Sequence, residues 1–206
     1  MNIIYTIGYT AFKLDEFINK LKIYNISCVV DVRSVAYSQH YPDYNKDNLI
    51  KILKLHGILY RNYVAEFGAR QTQQCYYTSE GYLDFEKFTQ SDIFNEGYNK
   101  ILLGIKRGYT FVLMCAEVDP IDCHRNIMIA REFYKRGFDI KNIMKDGTIK
   151  TQEDIERRLL EKFFPTRDQL SLLNAEKTKG ELIIEAYKKK NEEIGYRLEK
   201  DMVKYG

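Results

Sequence analysis

The sequence predicts an α/β fold: a single, mainly parallel sheet of about five strands flanked by helices in a three-layer, Rossmann-like arrangement, with a helical extension at the C-terminus. Three observations predict it. Short β-branched runs recur along the chain, stretches with apolar residues at helical spacing separate them, and glycine or polar turns close most of the runs.

The elements follow in order. Ile3 to Ile7 is an apolar run ending at Gly8, bounded like a buried strand. Phe12, Phe17, Ile18, Leu21 and Ile23 recur at roughly helical spacing and predict a helix over 13–24. Cys28 to Val32 is a second strand, continuous and β-branched, as expected of a strand covered on both faces; it ends at Asp31-Val32-Arg33-Ser34. Residues 35–46 form a loop carrying Tyr37, His40, Tyr41 and Tyr44. Leu49, Ile50, Ile52, Leu53 and Leu55 mark a second helix, closed near His56-Gly57, and Ile58 to Tyr60 is a short third strand. Residues 62–81 read as a long polar connection without regular structure, containing Glu66-Phe67-Gly68-Ala69-Arg70 and Cys75-Tyr76-Tyr77. A connection of that length inside a compact domain is more often functional or mobile than neutral.

Residues 82–88 and 93–105 predict a helical pair or one broken helix, and Thr110 to Cys115 a fourth strand. That strand turns at Glu117 to Asp119, and a helix begins at Pro120 with Asp119 as its N-cap. The helix runs to about Arg136 and Gly137 closes it. Ile140 to Met144 is a fifth strand, and Asp146-Gly147 a tight turn. Thr151-Gln152-Glu153-Asp154 opens another helix with a capping pattern. Residues 165–178 are an irregular link, and 180–205 a long, charged amphipathic helix. The expected organisation is an α/β core domain over 1–150 and a C-terminal helical extension over 151–206 packed on it.

Composition narrows the function classes. The chain has 206 residues, 45% apolar and 30% charged, ordinary for a soluble globular protein. A net charge of +3 neither demands nor excludes nucleic acid. No apolar run approaches a bilayer's thickness, so no membrane association is expected. The N-terminus lacks a basic region and a cleavage site, and the four cysteines have no framework spacing; both point to reduced thiols and a cytoplasmic location. Seventeen tyrosines with no tryptophan reflect either a lineage bias or a stacking surface.

In parallel sheets ligands bind beyond the carboxyl ends of the strands. Here those ends carry Gly8-Tyr9, Asp31 to Arg33 and Cys115 to Glu117, with Cys123-His124-Arg125 in or near the first turn of the following helix, where the dipole favours anions. Cys123 is a candidate reactive thiol, because a helix N-terminus and adjacent cations depress a thiol pKa; the plainer reading is a small buried residue filling the helix–sheet seam. Cys115, at the end of an apolar strand, reads first as core, and a Cys115–Cys123 disulfide needs Cα atoms within about 7 Å. Arg33 and Arg125 are candidate ligand contacts, since a buried guanidinium must meet a carboxylate or phosphate. For Arg33 the alternative is a pair with Asp31 or Glu117; for Arg125 it is a solvated first-turn residue. Glu117 is a candidate nucleophile or acid/base, or else it neutralises Arg33 or Arg125. His124 is a candidate proton shuttle or a helix-start histidine bonded to backbone.

Tyr9 joins these as a candidate proton carrier, and Cys115, Asp31, Gly68 and Tyr41 complete the expected binding set. Cys115, Cys123 and His124 could ligate zinc with one more group, but their spacing follows no standard zinc pattern, so no metal is expected. Loop tyrosines beside arginines suit nucleosides or single-stranded nucleic acid. Neither a P-loop nor a dinucleotide fingerprint is present, which disfavours ATPase and NAD-dependent chemistry, and no arginine lies six residues beyond Cys115 or Cys123, as a cysteine-phosphatase loop requires. The sequence leaves the cofactor unknown.

Thr6-Ile7-Gly8-Tyr9, Val30-Asp31-Val32-Arg33-Ser34, Gly57-Ile58-Leu59-Tyr60, Glu66-Phe67-Gly68, Met114-Cys115-Ala116-Glu117, Cys123-His124-Arg125 and Asp146-Gly147 together resemble the uncharacterised family known as domain of unknown function 488. Glu185-Ala186-Tyr187 and Ile194-Gly195-Tyr196-Arg197 fit the C-terminal helix of many members. Members commonly have Gly-His-Ser where this chain has Gly8-Tyr9-Thr10, and Leu-Gly-Gly where it has Phe67-Gly68-Ala69. The resemblance implies an α/β domain and supplies no reaction. The reading favoured by the residues is an enzyme acting on a phosphate-bearing, nucleotide-like or nucleic-acid substrate at the strand ends, with Cys123 or Glu117 as nucleophile. The competing class is a non-catalytic module that binds a nucleotide or nucleic acid through the same pocket.

Overall fold

A computed structural model describes residues 2–165 and 177–198. Among them six strands form one sheet in the order β3-β2-β4-β1-β5-β6. The strands are β1 (Ile3–Gly8), β2 (Cys28–Asp31), β3 (Leu59–Asn62), β4 (Phe111–Cys115), β5 (Asp139–Ile143) and β6 (Ile149–Lys150). All neighbours run parallel except β5 and β6, which form a hairpin around the Asp146-Gly147 turn. The continuous apolar character of β1, β2 and β4 is explained by burial on both faces: every residue of β2 and β4 is buried.

Two apolar clusters flank the sheet. On one face α1 (Leu14–Ile23) and α2 (Lys46–Leu55) turn Phe17, Ile18, Leu21, Leu49 and Leu53 onto Tyr5, Ile7, Val29, Val112 and Met114. On the other, Ile4, Val30 and Leu113 pack under α4 (Phe85–Thr89), α5 (Asp92–Lys106), α6 (Arg131–Lys135), α7 (Gln152–Phe163) and α8 (Lys179–Ile194). The helix starts are set locally. Asp84 and Ser91 accept the Lys87 and Phe94 N–H groups, and Thr151 with Asp154 and Thr178 with Glu181 form reciprocal capping boxes.

The expected mainly parallel α/β sheet is present with one short strand more, as two residues of β6 are too few to show a period in sequence. Three expectations need correction. The 62–81 connection is not structureless, since it holds α3 (Val64–Phe67) and a 3-10 turn at Gln74–Tyr76. The helix after β4 does not run unbroken from Pro120: a 3-10 turn, Pro120–Asp122, ends at Cys123 in extended conformation, and a π-helical stretch, Arg125–Ala130, then leads into α6. The last helix ends at Ile194, where Gly195 turns the chain; the remainder of the expected helix from 199, and residues 166–176 of the expected link, lie outside the described residues. Ile155, Leu159, Ala186 and Tyr187 belong to the same buried cluster as the sheet residues Ile4 and Leu113.

Candidate functional site

β4 lies between β1 and β2, with Gly8 level with Cys115 and Asp31 level with Met114. The three strand ends singled out in the sequence therefore meet at one edge of the sheet. Beyond them opens a cavity of about 360 Å³ lined by Tyr9, Arg33, Tyr37, Arg70, Cys115, Glu117, Asp122, His124 and Tyr196, among others.

The turn after β4 is built to hold one shape. It crosses so close over β1 that a Cβ on Gly8 would run into the Glu117 carbonyl, whose carbon would lie 2.9 Å away. Gly8 is there for room, as its φ of −97° is open to any residue. Thr10 Oγ1 donates to the Ala116 carbonyl, and the fully buried Arg125 guanidinium donates to the carbonyls of Glu117 (2.6 Å) and Val118 (3.2 Å). Asp119 accepts the Ile121 N–H and receives two hydrogen bonds from Arg158 on α7. Arg125 is thus not a solvated first-turn residue: Nη1 and Nη2 are turned inward onto backbone, Nε is buried without a hydrogen-bond partner, and the residue does not line the cavity. This differs from its expected place in the binding set.

Fixing this turn aims Glu117 at Cys123, whose thiol donates to Glu117 Oε2 at 2.8 Å. Glu117 forms no ion pair with Arg33 or Arg125 among the described residues, contrary to its plainer reading. Cys123, extended, closes the 3-10 turn ahead of the π-helical stretch: its carbonyl accepts from Asn126 and Ile127, and its sulfur accepts the Arg125 N–H at 3.4 Å. His124 Nε2 donates to the Val32 carbonyl at 2.9 Å, leaving Nδ1 4.0 Å from each of the sulfurs of Cys115 and Cys123. Both cysteines are free thiols and buried. π-helical irregularities recur at functional sites, and this one begins directly beside Cys123 and His124.

The electrostatics differ sharply between the two sulfurs. Burial opposes an anion at Cys123, yet a hydrogen bond from Cys115 and the charges of Arg125 and His124 hold its pKa well below the usual thiol value. Cys115 is pushed well above it, first by that same hydrogen bond and then by burial. Burial raises the Glu117 carboxyl, and the neighbouring Cys123 charge raises it further. For His124, burial opposes the cation, but the interaction with Cys123 outweighs it and the pKa rises.

Across the cavity, Arg33 is 4% exposed. Its Nε donates to Asp31 at 2.9 and 3.1 Å and its Nη2 to the Tyr44 carbonyl at 2.8 Å; Tyr60 donates to the same carboxylate at 2.6 Å. The guanidinium lies 5.0 Å from the Tyr9 ring centre, and Tyr9 is stacked on Tyr44 with Tyr41 edge-on. Nη1 of Arg33 is buried and has no hydrogen-bond partner.

Tyr9, Arg33, Cys115, Glu117 and His124 are thus brought together at the cavity wall. Cys123 stands behind Glu117, and Asp31 behind Arg33. Tyr41 reaches the site through Tyr9 and is not a lining residue. Gly68 is not one either: it closes α3, and its carbonyl accepts from Gln71. Arg70 and Tyr196, which stack at 4.9 Å, and Asp122 were not among the expected site residues. Arg70 lay inside the polar connection, a signal for a region only. Tyr196 is too far along the chain for any local pattern to place it.

A mainly parallel sheet with a polar, thiol- and arginine-lined cavity at its carboxyl edge defines an α/β protein with a strand-end site. The chain belongs to the family described as domain of unknown function DUF488, whose model matches residues 13–131. That span contains Arg33, Cys115, Glu117, Cys123 and His124, and stops short of Tyr9 and Tyr196. No curated protein and no solved structure matches the chain. No helix among the described residues is long and apolar enough to cross a membrane.

Proposed function

We propose that the strand-end cavity is the active site of an enzyme acting on a phosphate-bearing, nucleotide-like substrate. The observation that carries this is Arg33, a cavity-lining residue whose guanidinium is held by Asp31 and the Tyr44 carbonyl beside Tyr9, and whose Nη1 is buried with no hydrogen-bond partner within bonding geometry. A desolvated N–H without a partner costs about 1–3 kcal/mol, and a phosphate oxygen would remove that cost. Arg70 stands on the same wall, stacked on Tyr196, and the exposed Tyr37 offers a ring face for a base.

Of the two candidate nucleophiles, Glu117 borders the cavity and Cys123 does not. The carboxylate version is therefore favoured. Glu117 attacks the sugar carbon of an N-glycosidic bond, a carbon–oxygen bond forms as the carbon–nitrogen bond breaks, and His124 or Tyr9 gives the departing base a proton. Water then hydrolyses the glycosyl ester.

Thermal melting with a nucleoside monophosphate, the matching nucleoside and inorganic phosphate tests this reading. The nucleotide at 100 times its Kd raises stability by about 2.7 kcal/mol, the nucleoside does much less, and Arg70→Ala weakens the nucleotide effect. Glu117→Gln retains binding and loses release of the base, followed by chromatography. Equal stabilisation by nucleoside and nucleotide would remove the role given to Arg33. Binding without turnover by the unaltered protein would make the chain a nucleotide-binding module.

A further inference from the structure

We propose that Cys115, Cys123 and His124 form a binding site for one thiophilic divalent metal ion, zinc fitting best, with the fourth position open to the cavity. Their Sγ, Sγ and Nδ1 atoms all lie within 4.8 Å of one another, with both sulfur–nitrogen distances at 4.0 Å. Zinc–sulfur and zinc–nitrogen bonds of about 2.3 and 2.0 Å place tetrahedral donors roughly 3.5–3.8 Å apart. The sulfur–nitrogen pairs need to close by about half an ångström and the two sulfurs by no more than about 1 Å.

Two further features belong to a metal site more than to a chance cluster. His124 gives its Nε2–H to the Val32 carbonyl, the outer-shell bond that fixes a metal-binding imidazole and turns the other nitrogen toward the ion. The Arg125 backbone N–H points at the Cys123 sulfur, as amides do around metal thiolates. The donors also sit on rigid ground: Cys115 ends a central strand, and the turn leading to Cys123 is pinned by Thr10, Arg125 and Arg158. Two sulfurs and one imidazole favour zinc over magnesium or calcium, which take oxygen. Core residues close one side of the trio, while Cys115 and His124 border the cavity on the other, so a water or substrate atom can reach the open position.

Binding displaces the thiol protons to solvent and leaves two thiolates balancing the dication. The spacing in sequence hides the site, because the strand end and the π-helical start, not a knuckle or zinc ribbon, bring the ligands together. The inference is independent of the anion-binding part of the nucleotide reading, since metal binding uses neither Arg33 nor Arg70; with the ion bound His124 is a ligand, and the proton for the departing base falls to Tyr9.

The test is titration of the full, reduced, chelator-treated protein with Co²⁺ and then Zn²⁺. One equivalent of cobalt produces thiolate-to-metal charge-transfer absorption and strong tetrahedral d–d bands, and zinc bleaches both. Cys115→Ser, Cys123→Ser and His124→Asn each lose stoichiometric binding, while Cys75→Ser, on an exposed thiol, keeps it. X-ray absorption on the zinc-loaded, unaltered protein needs no variant to fold; it shows two sulfur neighbours at about 2.3 Å. Failure of the unaltered protein to bind either ion, binding that survives the Cys115→Ser/Cys123→Ser pair, or a shell without sulfur would each overturn the site. Loss of nucleotide affinity with cobalt spectra intact would sink only the substrate reading.

Discussion

Gly8 and Glu117 touch across the end of β1, and that contact governs the site at the scale of single residues. Gly8→Ala places a methyl group against the Glu117 carbonyl. Overpacking of this kind costs about 1–3 kcal/mol, and the turn must move to relieve it. Urea denaturation should show that loss, together with weakened nucleotide binding; an alanine variant as stable as the parent would show that the turn yields freely. Several residue roles were legible in the sequence. The expense of a buried guanidinium offered Arg33 a pair with Asp31 or Glu117 as the alternative to a ligand, and the Asp31 pair forms; the backbone bond of His124 followed from its place at a helix start. The direction of Arg125 was not legible. Sequence gives its neighbours, whereas the choice between a ligand and two carbonyls seven and eight residues back depends on how the turn folds.

Among elements, the helix starts were the easiest to read, because caps are local. Thr151 and Asp154 bond each other's backbone N–H groups as their order suggests. The π-helical stretch was hidden: its wider turn leaves no distinct apolar period over six residues. Elements here are joined by buried polar side chains as well as apolar ones. Thr6 of β1 and Asn126 both donate to Asn142 of β5; Asn126 exchanges hydrogen bonds with Gln152 of α7, which donates to Tyr187 of α8. The Asp119–Arg158 bridge ties α7 to the site turn. Burial raises the Asp119 pKa, but the Arg158 hydrogen bond and the Ile121 N–H outweigh it, and the net shift is downward. A carboxyl depressed in the folded state stabilises above its unfolded pKa of about 3.9, and the contribution is lost as pH falls through the lower folded value. Arg158→Ala should therefore cost up to about 1 kcal/mol near neutral pH, for a bridge this exposed, and lessen the loss of stability between neutral and acid pH. An unchanged acid profile in that variant would contradict the assignment.

For the molecule as a whole, the decisive fact is strand order, which sequence does not give. Alternating strands and helices imply a parallel sheet, but only the insertion of β4 between β2 and β1 makes Tyr9, Arg33 and Cys115 neighbours. The C-terminal helix closes the same site from the far end of the chain. Lys190, 2% exposed, bridges Asp122 in the turn before Cys123, Asn191 bonds the backbone on both sides of Asp84, and Tyr196 lines the cavity. Ending the chain at residue 177 would uncover the cluster around Ala186 and Tyr187, so the shortened protein should melt less cooperatively and at lower temperature. A stable, cooperative shortened monomer would instead mark α8 as an appendage available to partners.

The claim on which the functional account rests is that Arg33 presents an unfilled N–H to an anion in the strand-end cavity. A crystal soaked with a nucleoside monophosphate measures this directly. The account predicts a phosphate oxygen within about 3.2 Å of Arg33 Nη1, with the sugar directed toward Glu117. A nucleotide bound elsewhere on the molecule, with the cavity holding only solvent, would contradict it.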